Sequence, residues 1–235
     1  MKIITLCVCM LLTQWARAQD STIFIAADQY VSEVATPERI YHYPNFIAGK
    51  IFFRNNTVSD ARLNYNYLNG EIEFISPNND TLAISKKQML DIERVVIDTS
   101  TFFYNDGYLE LVAQSAVGRL LKKEIYVVFK REKIGGYDQP SSTSAIESYS
   151  SFKESYGTRQ FDLKVRENIT LVLRTNYFFG DQYHAVLPAN KKNLYKVFRS
   201  KKDFIDSYLA ANNVDFRKPG DIKKLFTFLS KEGSH

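Results

Sequence analysis

Two carboxylates, Glu71 and Glu73, stand two residues apart in GEIEF, so both leave one face of the chain if it is extended there. Carboxylates that face each other across a cleft can hydrolyse glycosides. In the preceding run LNYNYLNG, Asn64 and Asn66 alternate with tyrosines able to stack on a sugar, and a hairpin would bring them beside the two glutamates. Asn64, Asn66, Glu71 and Glu73 therefore form a candidate ligand-binding ladder. The same alternation has a plainer source, the solvated face of an antiparallel sheet buried on its other side. We take that second reading as the expectation.

His184 is the remaining catalytic candidate. The chain has three histidines, His42, His184 and His235, and His184 has a carboxylate three residues before it, Asp181. One such pair falls short of the three or four ligands a zinc ion usually draws, so no metal site is expected. His184 could serve as base to a serine, but no Gly-x-Ser-x-Gly elbow is present. Gly135-Gly136 lacks the Lys-Ser/Thr of a phosphate-binding loop. No cofactor is expected.

These side chains need strands to hold them. Asn69-Gly70 between two alternating runs predicts a hairpin with a two-residue turn, and Asn105-Asp106-Gly107 predicts a second. Template matching gives about eight strands between Ile23 and Arg131, joined too tightly for helical crossovers, hence antiparallel. Residues 134–158, serine-rich with Gly135-Gly136, Pro140 and Gly157, read as a long flexible loop, and strand character returns at 161–175. From Pro188 the period changes to helical. Asn190 can cap a first helix, Ser200 and Asp203 resemble a capping box for a second, and Pro219 suits the first turn of a third whose Ile222, Leu225, Phe226 and Leu229 share a face.

The expected fold is α+β: an antiparallel β-rich body (sheet, sandwich or partly open barrel), residues 19–187, with a helical C-terminal region, 188–235, packed on or beside it. Residues 1–18 read as a signal peptide. Lys2 precedes the short apolar run Ile3–Leu12, and Ala16-Arg17-Ala18 is a small-x-small site, predicting cleavage before Gln19. The run is shorter than the roughly 20 residues a membrane span needs. Both cysteines, Cys7 and Cys9, leave with it, so the mature chain is cysteine-free and rests on its core, which 17 Phe and 15 Tyr can supply.

Charge divides the chain the same way. Residues 19–187 carry 18 basic and 21 acidic side chains, and residues 188–235 carry 11 and 5. Lys191, Lys192, Lys196, Lys201, Lys202, Lys223 and Lys224 read as a solvated basic face, or as a peripheral contact with anionic lipid or polysaccharide of the envelope. With export expected, nucleic acid is not an expected partner. An outer-membrane barrel also has alternating, tyrosine-rich strands, but a basic helical ending and short strands oppose it.

The strings LNYNYLNGEIEFISPNNDTLAI and KKDFIDSYLAANNVDFRKPGDIKKLFTFL resemble uncharacterised secreted proteins of Bacteroidetes-type bacteria. The resemblance implies an exported, periplasmic or extracellular habitat and supplies no catalytic residues. The leading expectation is an exported cell-envelope binding or scaffold protein without catalytic activity, its partner an envelope polysaccharide, a lipid or another envelope protein. The alternatives are a hydrolase acting on envelope carbohydrate or ester, through Glu71, Glu73 or His184, and a carrier of a lipid or other apolar ligand.

Overall fold

A computed structural model describes residues 22–133, 146–147, 163–181 and 185–231. The expected signal peptide, most of the 134–158 loop, and His184 and His235 lie outside the described residues.

The strands form two meanders. The first runs through β2 (Ile47–Phe53), β3 (Val58–Asn66), β4 (Glu71–Ile75) and β5 (Thr81–Ala83). The second, after the single-turn-and-a-half helix α3 (Lys86–Asp91), runs through β6 (Ile92–Ile97), β7 (Ser100–Tyr104), β8 (Tyr108–Ser115) and β9 (Gly118–Lys133). β2 pairs with β6 and joins the two, while β9 pairs with β11 (Glu167–Gly180) and β11 with β1 (Thr22–Ile25). β10 (Ile146–Glu147) and β12 (Val186–Pro188) add to β9 and β11. Every pairing is antiparallel, giving one open sheet in the order β1-β11-β9-β8-β7-β6-β2-β3-β4-β5. Thr22–Lys133 thus holds nine strands. The fold is α+β, with helices α4 (Lys191–Val197), α5 (Lys202–Ala211) and α6 (Pro219–Lys231) closing the chain.

Turn chemistry explains the meanders. Among the described residues, the non-glycine residues with positive φ are Asp28, Asn56, Asn79, Asp98 and Asp106, and the last four sit in the β2–β3, β4–β5, β6–β7 and β7–β8 connections. Asn and Asp tolerate this region because their short polar side chains bond locally to the backbone. The first hairpin departs from expectation, since its connection is four residues, Tyr67–Gly70. The Asn66 side-chain oxygen accepts the N–H groups of Leu68 (2.8 Å) and Asn69 (3.3 Å), ending β3 early, and Gly70 alone takes positive φ.

The helix signals divide. Asn190 caps α4 by accepting from the Asn193 N–H, and α6 starts at Pro219. Ser200 caps nothing, because a 3-10 turn, Arg199–Lys201, runs directly into α5. The capping box instead belongs to α3, between Ser85 and Gln88.

One face of the sheet carries two apolar cores. Leu63, Tyr65, Ile72, Val95, Phe102, Tyr126 and Leu171 belong to the larger, beneath the N-terminal segment. Leu120 and Phe179 belong to the smaller, which α4, α5 and α6 complete with Leu194, Ile205, Ile222, Leu225, Phe226 and Leu229. Cross-strand register shows what separates them. Leu120 pairs with Phe179 and Tyr126 with Leu173, while between them lie Lys122 with Tyr177 and Glu124 with Thr175. A polar layer therefore crosses the buried face of the sheet between the two cores.

Candidate functional site

The predicted ladder is not a wet face. Asn64 is 1% exposed, Asn66 0% and Glu73 6%, because the segment that follows α2 (Pro37–Ile40) is laid along the end of β3. The Tyr67 N–H donates to the Ile40 carbonyl and the His42 N–H to the Tyr65 carbonyl, so the end of β3 is paired as well. Asn64 ties this segment down, accepting from the Tyr43 N–H at 3.0 Å and donating to the carbonyls of Tyr43 and Asn45. Glu73 accepts from the Tyr41 hydroxyl at 2.6 Å, from the Asn66 amide at 3.0 Å and from the Asn69 amide at 3.3 Å. Burial outweighs these donors and holds its carboxyl above the ordinary range. Glu71 is half-buried two residues away. Neither glutamate lines the clefts described below.

The polar layer was not foreseen. Lys122 Nζ lies 3.0 Å from Glu110 and 2.6 Å from Glu124, with side chains 21%, 17% and 20% exposed. Ser100 donates to Glu110 and Thr175 to Glu124, each at 3.0 Å, completing both carboxylates. Burial pushes the Lys122 ammonium down, but the hydrogen bonds and charges of Glu124 and Glu110 outweigh it and leave it raised. His42 borders this layer, its Nδ1 2.6 Å from the Tyr67 hydroxyl and its ring against Tyr43, Tyr67 and Phe102. Burial keeps its pKa below the ordinary value despite Glu110 and Glu124. Period-two alternation hints at the layer, since Glu110, Lys122 and Glu124 share one face, but their strand register decides that they meet.

On the opposite face of the sheet, adjacent strands β6, β7, β8 and β9 present Arg94, Thr101 and Phe103, Leu111, and Arg119 into a cleft of about 550 Å³. Arg54, Glu93, Gln114 and Asp181 also line it. The guanidinium carbon of Arg94 lies 4.0 Å from the centre of the Phe52 ring, and that of Arg119 4.7 Å from that of Phe103. Stacking fixes a guanidinium plane while its N–H edge can still bond an oxyanion in two places. Arg94 also meets Glu93 at 2.6 Å, and Arg54 donates to the Leu90 carbonyl. A second cleft, about 630 Å³, is lined by Lys196, Arg199 and Lys201 with Ala116, Val117 and Phe198, and it shares Asp181 with the first.

Comparison with known proteins finds no family model, no curated protein and no solved structure that matches this chain. The site is therefore read from its own geometry. Among the described residues, no group of three or more His, Cys, Asp or Glu is placed to hold a metal ion. No described helix is long and apolar enough to cross a membrane. Of the seven basic residues singled out in the C-terminal region, Lys196 and Lys201 line the second cleft and Lys202 pairs with Asp206. Lys191, Lys192, Lys223 and Lys224 are exposed, the last two on the side of α6 away from its buried Ile222, Leu225 and Phe226.

Sequence reasoning passed over Arg54, Arg94 and Arg119. Sequence offers little signal for them: the rings that carry Arg94 and Arg119, Phe52 and Phe103, stand on other strands, β2 and β7, and only the sheet register brings them together.

Proposed function

We propose that this is an exported cell-envelope protein that binds a partner through the outer face of β6–β9 and performs no catalysis there. The observation that carries this reading is the cleft lined by Arg54, Arg94 and Arg119, in which two guanidiniums are set on phenylalanine rings and Thr101 and Gln114 add neutral hydrogen-bonding groups. Such a surface suits an oxyanion-bearing ligand, and a cleft of this size falls in the range that accommodates small ligands and short oligomers. The signal-like start and the resemblance to secreted proteins support export. Envelope polysaccharide is the partner class favoured here, since carboxylate or sulfate groups meet the arginines while hydroxyls meet Thr101, Gln114 and Glu93.

The hydrolase alternative draws less support from the geometry. Glu73 is committed to three donors away from either cleft, and the alternative would rest on Glu71 and His184 alone. The carrier alternative needs an apolar cavity under the sheet, where Tyr65, Phe102 and Tyr126 instead pack within one core and Leu120 and Phe179 within the other.

The test is co-sedimentation of the purified protein with isolated envelope material. Wild type is expected to sediment with it, Arg94→Gln/Arg119→Gln to lose at least tenfold in affinity, and Lys223→Gln/Lys224→Gln to behave as wild type. Equal binding by all three proteins would refute the assignment of this face.

A further inference from the structure

Two clefts with one shared wall invite a single occupant. Asp181 lines both, and the chain between β8 and β9 passes from Gln114 and Ser115 in the first to Ala116 and Val117 in the second and back to Gly118 and Arg119 in the first. Across the pair, six cationic side chains (Arg54, Arg94, Arg119, Lys196, Arg199, Lys201) stand against two carboxylates, Glu93 and Asp181. The cations are distributed, three to each cleft, which suits repeated charge better than one small anion.

We infer that the two clefts form one continuous track for an acidic polysaccharide, a chain of uronate or sulfated sugars, running from the outer face of β6–β9 past Asp181 to the α4 end. This rests on the binding role proposed above and names the ligand class and its path. Three observations select a sugar polymer over other polyanions. First, two carboxylates stand among the cations, Glu93 paired with Arg94 and Asp181 accepting from the Ala185 N–H, and their charge repels a backbone with a phosphate at every step. Second, Thr101, Gln114, Ser115 and Ser200 place neutral donors and acceptors between the charges, as a ligand with several hydroxyls per charge requires. Third, the apolar walls, Phe103 and Leu111 in one cleft and Val117 and Leu187 in the other, offer surfaces for the C–H faces of sugar rings.

Arg94 and Arg119 act as fixed carboxylate or sulfate readers, because stacking on Phe52 and Phe103 limits their motion before the ligand arrives. Lys196, Arg199 and Lys201 extend the track and add avidity: once the first cleft is filled, the remaining sugars bind the second as an intramolecular event. Affinity therefore rises with chain length until both clefts are occupied, and falls with salt in proportion to the charges engaged.

Polygalacturonate and size-fractionated oligogalacturonates are the probes, measured by isothermal titration calorimetry at several salt concentrations. The variants are Arg94→Gln/Arg119→Gln for the first cleft and Lys196→Gln/Arg199→Gln for the second, with thermal melts to verify folding; Arg94→Lys/Arg119→Lys retains charge should the Gln pair not fold. The expected result is a polymer affinity at least tenfold above that of a trisaccharide, with either cleft pair weakening polymer binding at least fivefold. If the second-cleft pair leaves polymer affinity unchanged while the first-cleft pair abolishes it, the track is refuted and the outer-face binding role survives. If the protein binds oligothymidylate or anionic vesicles tenfold more tightly than polygalacturonate, the sugar assignment is overturned. If neither cleft pair alters binding to the probe or to envelope material, the track and the outer-face role both fall.

Discussion

Replacing Glu73 by Gln distinguishes a carboxylate that holds the fold together from one that does chemistry. Glu73 is buried, raised in pKa by burial, and surrounded by donors, with Tyr41 on one oxygen and Asn66 and Asn69 on the other. Gln keeps one oxygen for the two asparagine amides and turns its own amide toward the Tyr41 oxygen, so the network survives while the charge goes. Because the native carboxyl sits above its unfolded value, the native state holds a proton that the unfolded chain has released. Native stability due to this group is greatest in acid and declines as pH rises from the unfolded carboxylate value through the raised native one. Glu73→Gln is therefore expected to match wild type in acid and to equal or exceed it at pH 7, the difference growing across that window. Glu73→Leu leaves three donors unsatisfied. Asn66 is beyond the reach of water, and each buried orphan costs about 1–3 kcal/mol, so the loss is about 2–5 kcal/mol, or roughly 5–15 °C in Tm for a chain of this size. Urea unfolding from pH 4 to 8 measures both variants. A Glu73→Gln protein less stable than wild type at pH 7, by the same amount at every pH, would refute the argument.

Three further outcomes test other parts of the structure. Lys122→Met leaves Glu110 and Glu124 without their shared cation and is expected to cost about 1–3 kcal/mol, less than a fully buried pair because the layer is partly wet; adding Glu110→Gln/Glu124→Gln should restore part of the loss in a thermal melt. His42, held below its ordinary value by burial, resists a proton that the unfolded chain accepts, so its contribution is present above about pH 6.5 and lost as pH falls toward the native value. His42→Asn, which keeps an acceptor for Tyr67, should flatten that acid limb in urea titrations at pH 5–7.5. Gly118 has φ +148°, and a Cβ there would lie 2.3 Å from the Gly180 carbonyl oxygen and 3.0 Å from Phe198. Gly118→Ala is expected to cost about 3 kcal/mol or more, because both the backbone region and the close approach to β11 exclude a side chain; calorimetry reads it, and an unchanged Tm would contradict the packing described.

Much of this fold was legible from periodicity. Alternation along 58–74 and 100–112, with Asn and Asp in the turns, forecasts both meanders, and the stripe Ile222, Leu225, Phe226 and Leu229 forecasts the buried face of α6. What alternation could not report is a strand covered on both sides. Asn64, Asn66 and Glu73 look solvent-facing because they are polar, yet residues 40–46 fold over them and exchange hydrogen bonds with them. The covering segment is adjacent neither in sequence nor in pattern. Burial of a polar residue is decided by its donors and acceptors, and those that cover this face, Tyr41, Tyr43 and Asn45, lie 19 to 32 positions away from their partners.

The candidate site was less legible for the same reason. Arg54, Arg94 and Arg119 are separated by 65 positions and meet only because β2 pairs with β6 and the β6–β9 meander sets their register. Single charged residues on alternating strands carry no mark of the neighbours that the sheet will give them. Local capping was similarly ambiguous: Ser200-x-x-Asp203 has the spacing of a capping box but its serine stands inside a 3-10 turn, while Ser85-x-x-Gln88 forms one before α3.

The most direct test of the central claim is arginine footprinting with phenylglyoxal, read by mass spectrometry, on the protein alone and bound to polygalacturonate. Arg94 and Arg119 are expected to lose reactivity at least fivefold on binding, with Arg54 protected beside them, while Arg217, exposed and lining neither cleft, reacts unchanged. Saturating ligand that leaves Arg94 and Arg119 as reactive as in the free protein would contradict the assignment of this face as the binding surface.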